Sequence, residues 1–212
     1  MSVLDRLQSL WRRARGEPIL LAAFAVLAGG VFGFAKIADE MSEAETRPFD
    51  EAVLHFLHPY ADQARAIGPW WMERVALDLT SLGSAAVLVT IALIVAGFLI
   101  LKRKWNEVIL LVAALAGGLI LSEAMKDLFE RERPAAAYRS FDVLNSSFPS
   151  GHALLSTVTY LTLAAMLAGA LNDRRTGIYV LSVGVVLALL VGVTRIYLAA
   201  HWTTDVLAGW CL

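Results

Sequence analysis

The chain has 212 residues, a single cysteine, a formal net charge of −1 and a mean hydropathy of +0.64, with 58% of its residues hydrophobic. A soluble domain carries roughly 45–50% apolar residues. Here the excess sits in long runs, which points to a polytopic membrane protein and away from a soluble globular domain. The lone Cys211 excludes an internal disulfide framework.

In chain order, a basic arm over residues 1–18 carries Arg6, Arg12, Arg13 and Arg15. It leads into a first apolar run, Ile19–Ala38. The run is long for a signal peptide, and no small-x-small site separates it from the acidic stretch that follows, so an uncleaved anchor is expected. Residues 39–83 are rich in Asp and Glu and read as amphipathic helical pieces broken at Pro59 and Pro69. Trp70 and Trp71 suit a membrane–water interface. No catalytic spacing stands out there, so this segment reads as an interfacial cover without chemistry. His55 and His58 lie three apart on one helical face, but two ligands without a third make no metal site.

Further runs follow at Ser84–Leu101, Val108–Ser122, Ala153–Leu171 and Ile178–Thr194. With the first they make five segments of about the length a hydrocarbon core of ~30 Å requires. A sixth begins at Asp205 and reaches Leu212. Eight helical residues rise only about 12 Å, so the sequence is expected to stop inside its sixth helix. The fold class predicted is all-α: a single membrane-embedded domain, 1–212, with six transmembrane helices. The N-terminal arm, the Lys102-Arg103-Lys104 turn and the Asn172-Asp173-Arg174-Arg175 turn are basic and fall on one side if every segment spans. The positive-inside rule makes that side cytoplasmic. Residues 39–83, 123–152 and 195–204 then face outward.

Three outward clusters carry chemistry-bearing residues. In "KDLFERERP", Lys126 and Arg133 are seven apart, close to two helical turns, so both can point the same way. Pro134 favours ending that helix. Alone, the cluster reads better as a solvated, charge-mixed helix end, with Asp127, Glu130, Arg131 and Glu132 among its charges. In "FPSGHALLST", Pro149 presets a turn, Ser150 stands at a helix N-cap and Gly151 lets backbone approach a ligand. The free N–H groups and dipole of a helix start form an anion site, and His152 stands where it could donate a proton to a bound group. In "TRIYLAAHWTTD", Arg195 precedes His201 and Asp205, which are four apart, so the carboxylate can reach the imidazole. An Asp–His pair fixes a tautomer and leaves the other ring nitrogen as nucleophile or base. Three cations, a helix N-terminus and two histidines on one membrane face suit a phosphate dianion.

In order along the chain these residues read K-x6-R-P, then P-S-G-H, then T-R-x5-H-x3-D. The pattern resembles that of the type 2 phosphatidic acid phosphatases (PAP2), the integral-membrane lipid phosphate phosphatases. Thr194 replaces the serine of the third motif and keeps its hydroxyl. The matching motifs occupy residues 126–205, and the family's six-helix architecture agrees with the span count. The resemblance implies a lipid phosphate or diphosphate phosphatase working through a phosphohistidine. His201 would attack phosphorus, Asp205 would support it, and His152 would protonate the leaving oxygen and then help activate water. Lys126, Arg133 and Arg195, with Ser150 and the Gly151 N–H, would hold the phosphoryl oxygens. No cofactor and no metal site is implied, so activity without divalent metal is expected.

The expected partners are the bilayer and a membrane lipid phosphate: undecaprenyl diphosphate, phosphatidylglycerol phosphate, phosphatidic acid or a lipid A phosphate. No nucleic acid is expected. The expected location is the cell (inner) membrane, multi-pass, with a cytoplasmic N-terminus and the site on the outer face. A phosphotransferase with a lipid diphosphate donor and a non-catalytic lipid-phosphate binding or transport protein are the alternatives. The scarcity of charges inside the spans weighs against a polar transport path. The pattern also occurs in vanadate-dependent haloperoxidases, which are soluble, unlike a chain with five apolar spans.

Overall fold

The structure is a computed structural model. It describes the backbone of residues 3–60, 62, 65–138, 146–171 and 173–212, and side chains from residue 21 onward. The described residues form eight α-helices, a short 3-10 turn (Ala136–Tyr138) and no strand. The helices are α1 (Val3–Ser42), α2 (Arg47–Leu57), α3 (Trp70–Ser81), α4 (Ala85–Leu101), α5 (Trp105–Phe129), α6 (Gly151–Ala170), α7 (Arg174–Tyr197) and α8 (Thr203–Cys211).

Among the described residues, four stretches are long and apolar enough to cross a membrane: Leu21–Ser42 of α1, α5, α6 and α7. At 17 residues, α4 rises about 26 Å, short of a full hydrocarbon core. It meets the criterion jointly with α3, to which it is joined by a 46° bend. The cause of the break is local. Ser84 is extended, and its hydroxyl accepts the Val87 N–H at 3.3 Å, which starts a new helix. Residues 70–81 are therefore not a loose connection: they form a helix that joins α4 at an angle.

The bundle is built round α6, which packs most extensively on α7 and then on α5. Small residues set the closest approach. A Cβ at Gly184 of α7 would stand 2.9 Å from the Ala164 Cβ and 3.0 Å from the Tyr160 carbonyl oxygen of α6. Such backbone proximity holds helices together in lipid, where apolar burial offers little drive. Leu88, Leu111 and Leu154 fill the α4–α5–α6 interior. Large apolar side chains such as Phe24, Phe32, Leu101 and Ile120 face outward, as a lipid-solvated surface requires.

At one end of the bundle Phe34 of α1, Phe129 of α5 and Phe148 before α6 stack edgewise and tilted, with centroids 5.1–6.2 Å apart. Phe148 is fully buried, and the Phe148–Pro149 peptide is cis. This cluster pins the chain just ahead of α6. Lys126, residues 150–152, Arg195, His201 and Asp205 all lie at this end. Lys102, Arg103, Lys104, Arg174 and Arg175 lie at the helix ends opposite.

Candidate active site

α5 places Lys126 in its last turn and stops at Phe129. Glu130 takes a left-handed conformation (φ 43°), and its N–H closes on the Lys126 carbonyl. The helix thus ends four residues before Arg133. The two-turn spacing read from the sequence does not apply, because the left-handed residue turns the chain out of the helix before the second turn. Ser147 instead ties the following stretch: its N–H donates to the Arg131 carbonyl at 2.8 Å and its hydroxyl to the Glu132 carbonyl at 3.1 Å. Arg133 reaches the site from this extended segment.

Ser150 is the N-cap of α6. Its hydroxyl accepts the Ala153 N–H at 3.4 Å, and its own N–H donates to the Asp205 carbonyl at 2.9 Å. A hydroxyl that accepts at a cap keeps its proton for another acceptor. Gly151 begins the helix against α5: a Cβ there would sit 3.0 Å from the Ser122 hydroxyl and 3.4 Å from Lys126 Nζ. Ser122 lies one turn before Lys126 on the same face, and its buried hydroxyl has no hydrogen-bond partner among the described residues. Lys126 Nζ rests on Glu123 at 2.6 Å. His152 follows in the first turn of α6, within electrostatic reach of Arg195, His201, Arg133 and Lys126.

His201 lies in the α7–α8 connection and is 3% exposed. Its Nδ1 stands 2.8 Å from the Ser147 carbonyl, which can only accept. Its Nε2 stands 3.0 Å from Arg133 Nη1, which can only donate. The two partners assign the tautomer: the proton is on Nδ1 and the lone pair on Nε2. Burial, then the charges of Arg133 and Arg195, hold this imidazole well below its ordinary pKa, against the opposing Ser147 carbonyl. It is neutral at neutral pH.

The direct Asp–His bond expected from the i, i+4 spacing is not the shortest contact. Asp205 Oδ2 is 3.5 Å from Nδ1 and accepts the Trp202 N–H at 2.9 Å. The physical reason is that α8 begins at Thr203, so His201 is not in the same helix as Asp205, and a backbone carbonyl takes the imidazole proton. Arg133 is further held by the Ala200 carbonyl at 2.6 Å and the Ser146 carbonyl at 3.1 Å. Arg195 reaches Thr80 of α3 at 3.3 Å. Among the described residues no group of three His, Cys, Asp or Glu side chains is placed to hold a metal ion. His58 is buried and turned to the Leu54 carbonyl, and His55 faces Tyr138.

Residues 107–212 match the PAP2 superfamily. The chain belongs to this superfamily. Phosphatidylglycerophosphatase B of Bacillus subtilis is 31% identical over 146 residues, 67% of this chain and 70% of that protein. An undecaprenyl-diphosphatase of Sulfolobus acidocaldarius is 32% identical over 119 residues, 54% of this chain and 53% of that protein. The crystal structure of a transmembrane PAP2-type phosphatidylglycerolphosphate phosphatase from Bacillus subtilis superposes with a TM-score of 0.79 at 26% identity, covering 87% of this chain and 89% of that one. LpxE of Aquifex aeolicus shares the fold, with a TM-score of 0.56 at 23% identity over 75% and 86% of the two chains. This PAP2 chain is a multi-pass membrane protein.

Four groups around the candidate site are not singled out by any motif in the sequence. Arg131 reads as one charge among four in "ERER", yet it lies between two buried carboxylates, Asp50 at 2.8 Å and Asp205 at 2.5 Å. Asp50 and Thr80 belong to the 39–83 segment, which is therefore more than a cover: its helices bond directly to Arg131 and Arg195. The Ser147 contribution is a backbone carbonyl, which no residue type announces. Only the amphipathic pattern of α2, with Asp50 one turn before the buried Leu54, hints that a charge faces inward.

Proposed function

We propose that this protein is a lipid phosphate phosphatase that transfers the terminal phosphoryl group of a membrane lipid to His201 and then to water. The observation that carries this reading is the neutral His201 with its Nε2 lone pair held against Arg133. A phosphate bound between Arg133, Arg195, Lys126 and the α6 N-terminus would displace the guanidinium from Nε2 onto a phosphoryl oxygen. Nε2 then attacks phosphorus in line, forming the P–N bond as the P–O bond to the lipid breaks. His152 gives its proton to the departing oxygen. In the second half His152 takes a proton from water as the water oxygen attacks phosphorus, the P–N bond breaks and inorganic phosphate forms. The protein supplies position and positive charge, the two things phosphoryl transfer requires. Asp205, behind His201, offsets the positive charge that the imidazole gains when phosphorylated.

The substrate class follows from the site's place at a bundle end, where a lipid phosphate can arrive with its tails still in the bilayer. Undecaprenyl diphosphate, phosphatidylglycerol phosphate and phosphatidic acid are the candidates, and the names of the Bacillus and Sulfolobus relatives support the first two. The basic turns at the opposite end support an outward-facing site in the cell membrane. With three cations doing the work of a metal, turnover is expected to persist in EDTA. Phosphate release by the purified protein in detergent with EDTA, across these three lipids, tests the reading. Release from at least one lipid is expected. No release from any would overturn the phosphatase, and release only after Mg²⁺ is restored would overturn metal independence.

Gly151 gives a sharper local test. Gly151→Ala pushes a methyl toward Ser122 and Lys126 and is expected to lower kcat/KM by up to about 10²-fold. Adding Ser122→Ala opens the space and should recover most of the loss. Steady-state kinetics of the single and double variants check this, and a fully active Gly151→Ala would show that the close approach is not needed.

A further inference from the structure

Between α2 and the start of α8 lies a buried charge network of which the mechanism above uses only Asp205. Asp50 is 2% exposed, on a helix whose other face is open to the outside. Its Oδ1 accepts the Thr204 N–H at 2.9 Å. Its Oδ2 accepts the Thr204 hydroxyl at 2.6 Å and Arg131 Nη2 at 2.8 Å. The other end of the guanidinium, Nη1, donates to Asp205 Oδ1 at 2.5 Å and to Thr204 Oγ1 at 2.9 Å. Thr46, one turn before Asp50, accepts Nη2 at 3.3 Å. Arg131 therefore bridges two buried carboxylates with one terminal nitrogen each, a geometry that a planar fork provides and an ammonium does not.

The network does two things. First, it caps α8. The N-cap residue is Trp202, whose indole cannot accept the free N–H groups of the first turn. Asp50, 154 residues away in the chain, accepts one of them, and Asp205 accepts the N–H of Trp202 itself. Second, it fixes the charge behind His201. Two carboxylates around one guanidinium leave one net negative charge beside an imidazole that becomes positive when its Nε2 is phosphorylated. Burying two carboxylates without Arg131 would be costly. Arg131 without Asp50 would be free to draw Asp205 away from the imidazole.

We propose that Asp50 and Arg131 are positioning residues: Asp50, acting through Arg131, holds the Asp205 carboxylate behind His201 and so makes the outer helix α2 part of the catalytic unit. The inference rests on the phosphatase reading. Asp50 lies outside the residues that match the superfamily, so its role comes from the geometry alone.

The test is steady-state phosphate release by wild type, Asp50→Asn and Arg131→Lys on one lipid. It is paired with inhibition by inorganic phosphate, which reads the anion site directly. Asp50→Asn keeps the shape and removes the charge. Arg131→Lys keeps the charge and cannot bridge both carboxylates. Each is expected to lower kcat by about 10–10²-fold, with the phosphate inhibition constant and KM within about threefold of wild type. Asp50→Asn with wild-type kcat overturns the proposal, as does a loss of kcat matched by an equal loss of phosphate affinity, since that is general disorder of the site. Should Asp50→Asn not yield folded protein, Arg131→Lys decides by the same criteria. A wild type that releases no phosphate removes the phosphatase reading and this one with it. An active wild type with an unaffected kcat in both variants removes this one alone.

Discussion

Replacing His201 with alanine is expected to lower phosphate release on the order of 10⁶-fold, the scale at which an enzyme loses its nucleophile. Two neighbouring oxygen groups are engaged elsewhere. Asp205 is fully buried and engaged with Arg131 and Trp202, and Ser150 is committed as an α6 cap. The anion site should survive, because Lys126, Arg195 and the α6 N-terminus are untouched, so inorganic phosphate should still bind within a few-fold of wild type. A variant that still turns over at a tenth of the wild-type rate would mean that another group attacks phosphorus.

The same residue sets a pH dependence whose sign is fixed. Its pKa is lowered by burial and by Arg133 and Arg195, so the lone pair remains available below the ordinary imidazole value of about 6.5. Removing a positive neighbour reverses part of that effect. In Arg133→Gln the acid limb of kcat/KM should therefore move to higher pH than in wild type on the same lipid, where the ionisation of the substrate is common to both. For stability the depressed value works against the fold in acid: the unfolded chain takes up the His201 proton first, so this contribution is lost as pH falls below about 6.5.

His152→Ala should cost about 10²–10⁴-fold on a lipid substrate, the range of general acid–base catalysis. The side chain stands in the first turn of α6, within electrostatic reach of Arg195, Arg133 and Lys126, and its proposed role is to protonate the alkoxide or phosphate that leaves. The size of the effect should depend on that leaving group. An aryl phosphate, whose phenolate departs without a proton, should lose no more than about tenfold. Rates of wild type and variant over a series of leaving groups check this. An equal loss on lipid and aryl substrates would assign His152 to binding rather than proton transfer.

The helices were largely legible. Apolar runs mark α1, α4, α5, α6 and α7 to within a few residues at most of the ends away from the site, because a lipid-facing helix must be apolar throughout. The ends at the site are less legible. α5 runs past its apolar residues to Phe129 because Glu123, Lys126 and Asp127 sit at the polar boundary, where charge no longer marks a helix end. α3 was read as a surface piece because Trp70, Trp71, Glu73 and Arg74 make it amphipathic, although it continues into α4.

At the site, the charged and histidine residues stand out in the chain because membrane helices carry few others. Their partners do not. Asp50 meets Thr204 across 154 positions and Arg131 meets Asp205 across 74. No local period encodes such a pairing. The Ser147 carbonyl, which takes the His201 proton, belongs to the backbone and is invisible to any reading of residue types.

In the proposed mechanism the phosphoryl group rests on His201 before it reaches water. The direct measurement is rapid quenching of the wild type and of His201→Ala with lipid carrying a labelled terminal phosphoryl group, followed by mapping of the labelled peptide. The expected result is label that is stable in base and lost in acid, on the peptide holding His201, formed at least as fast as phosphate is released and absent from the variant. Phosphate release by wild type with label on no protein residue, or on a residue other than His201, would contradict it.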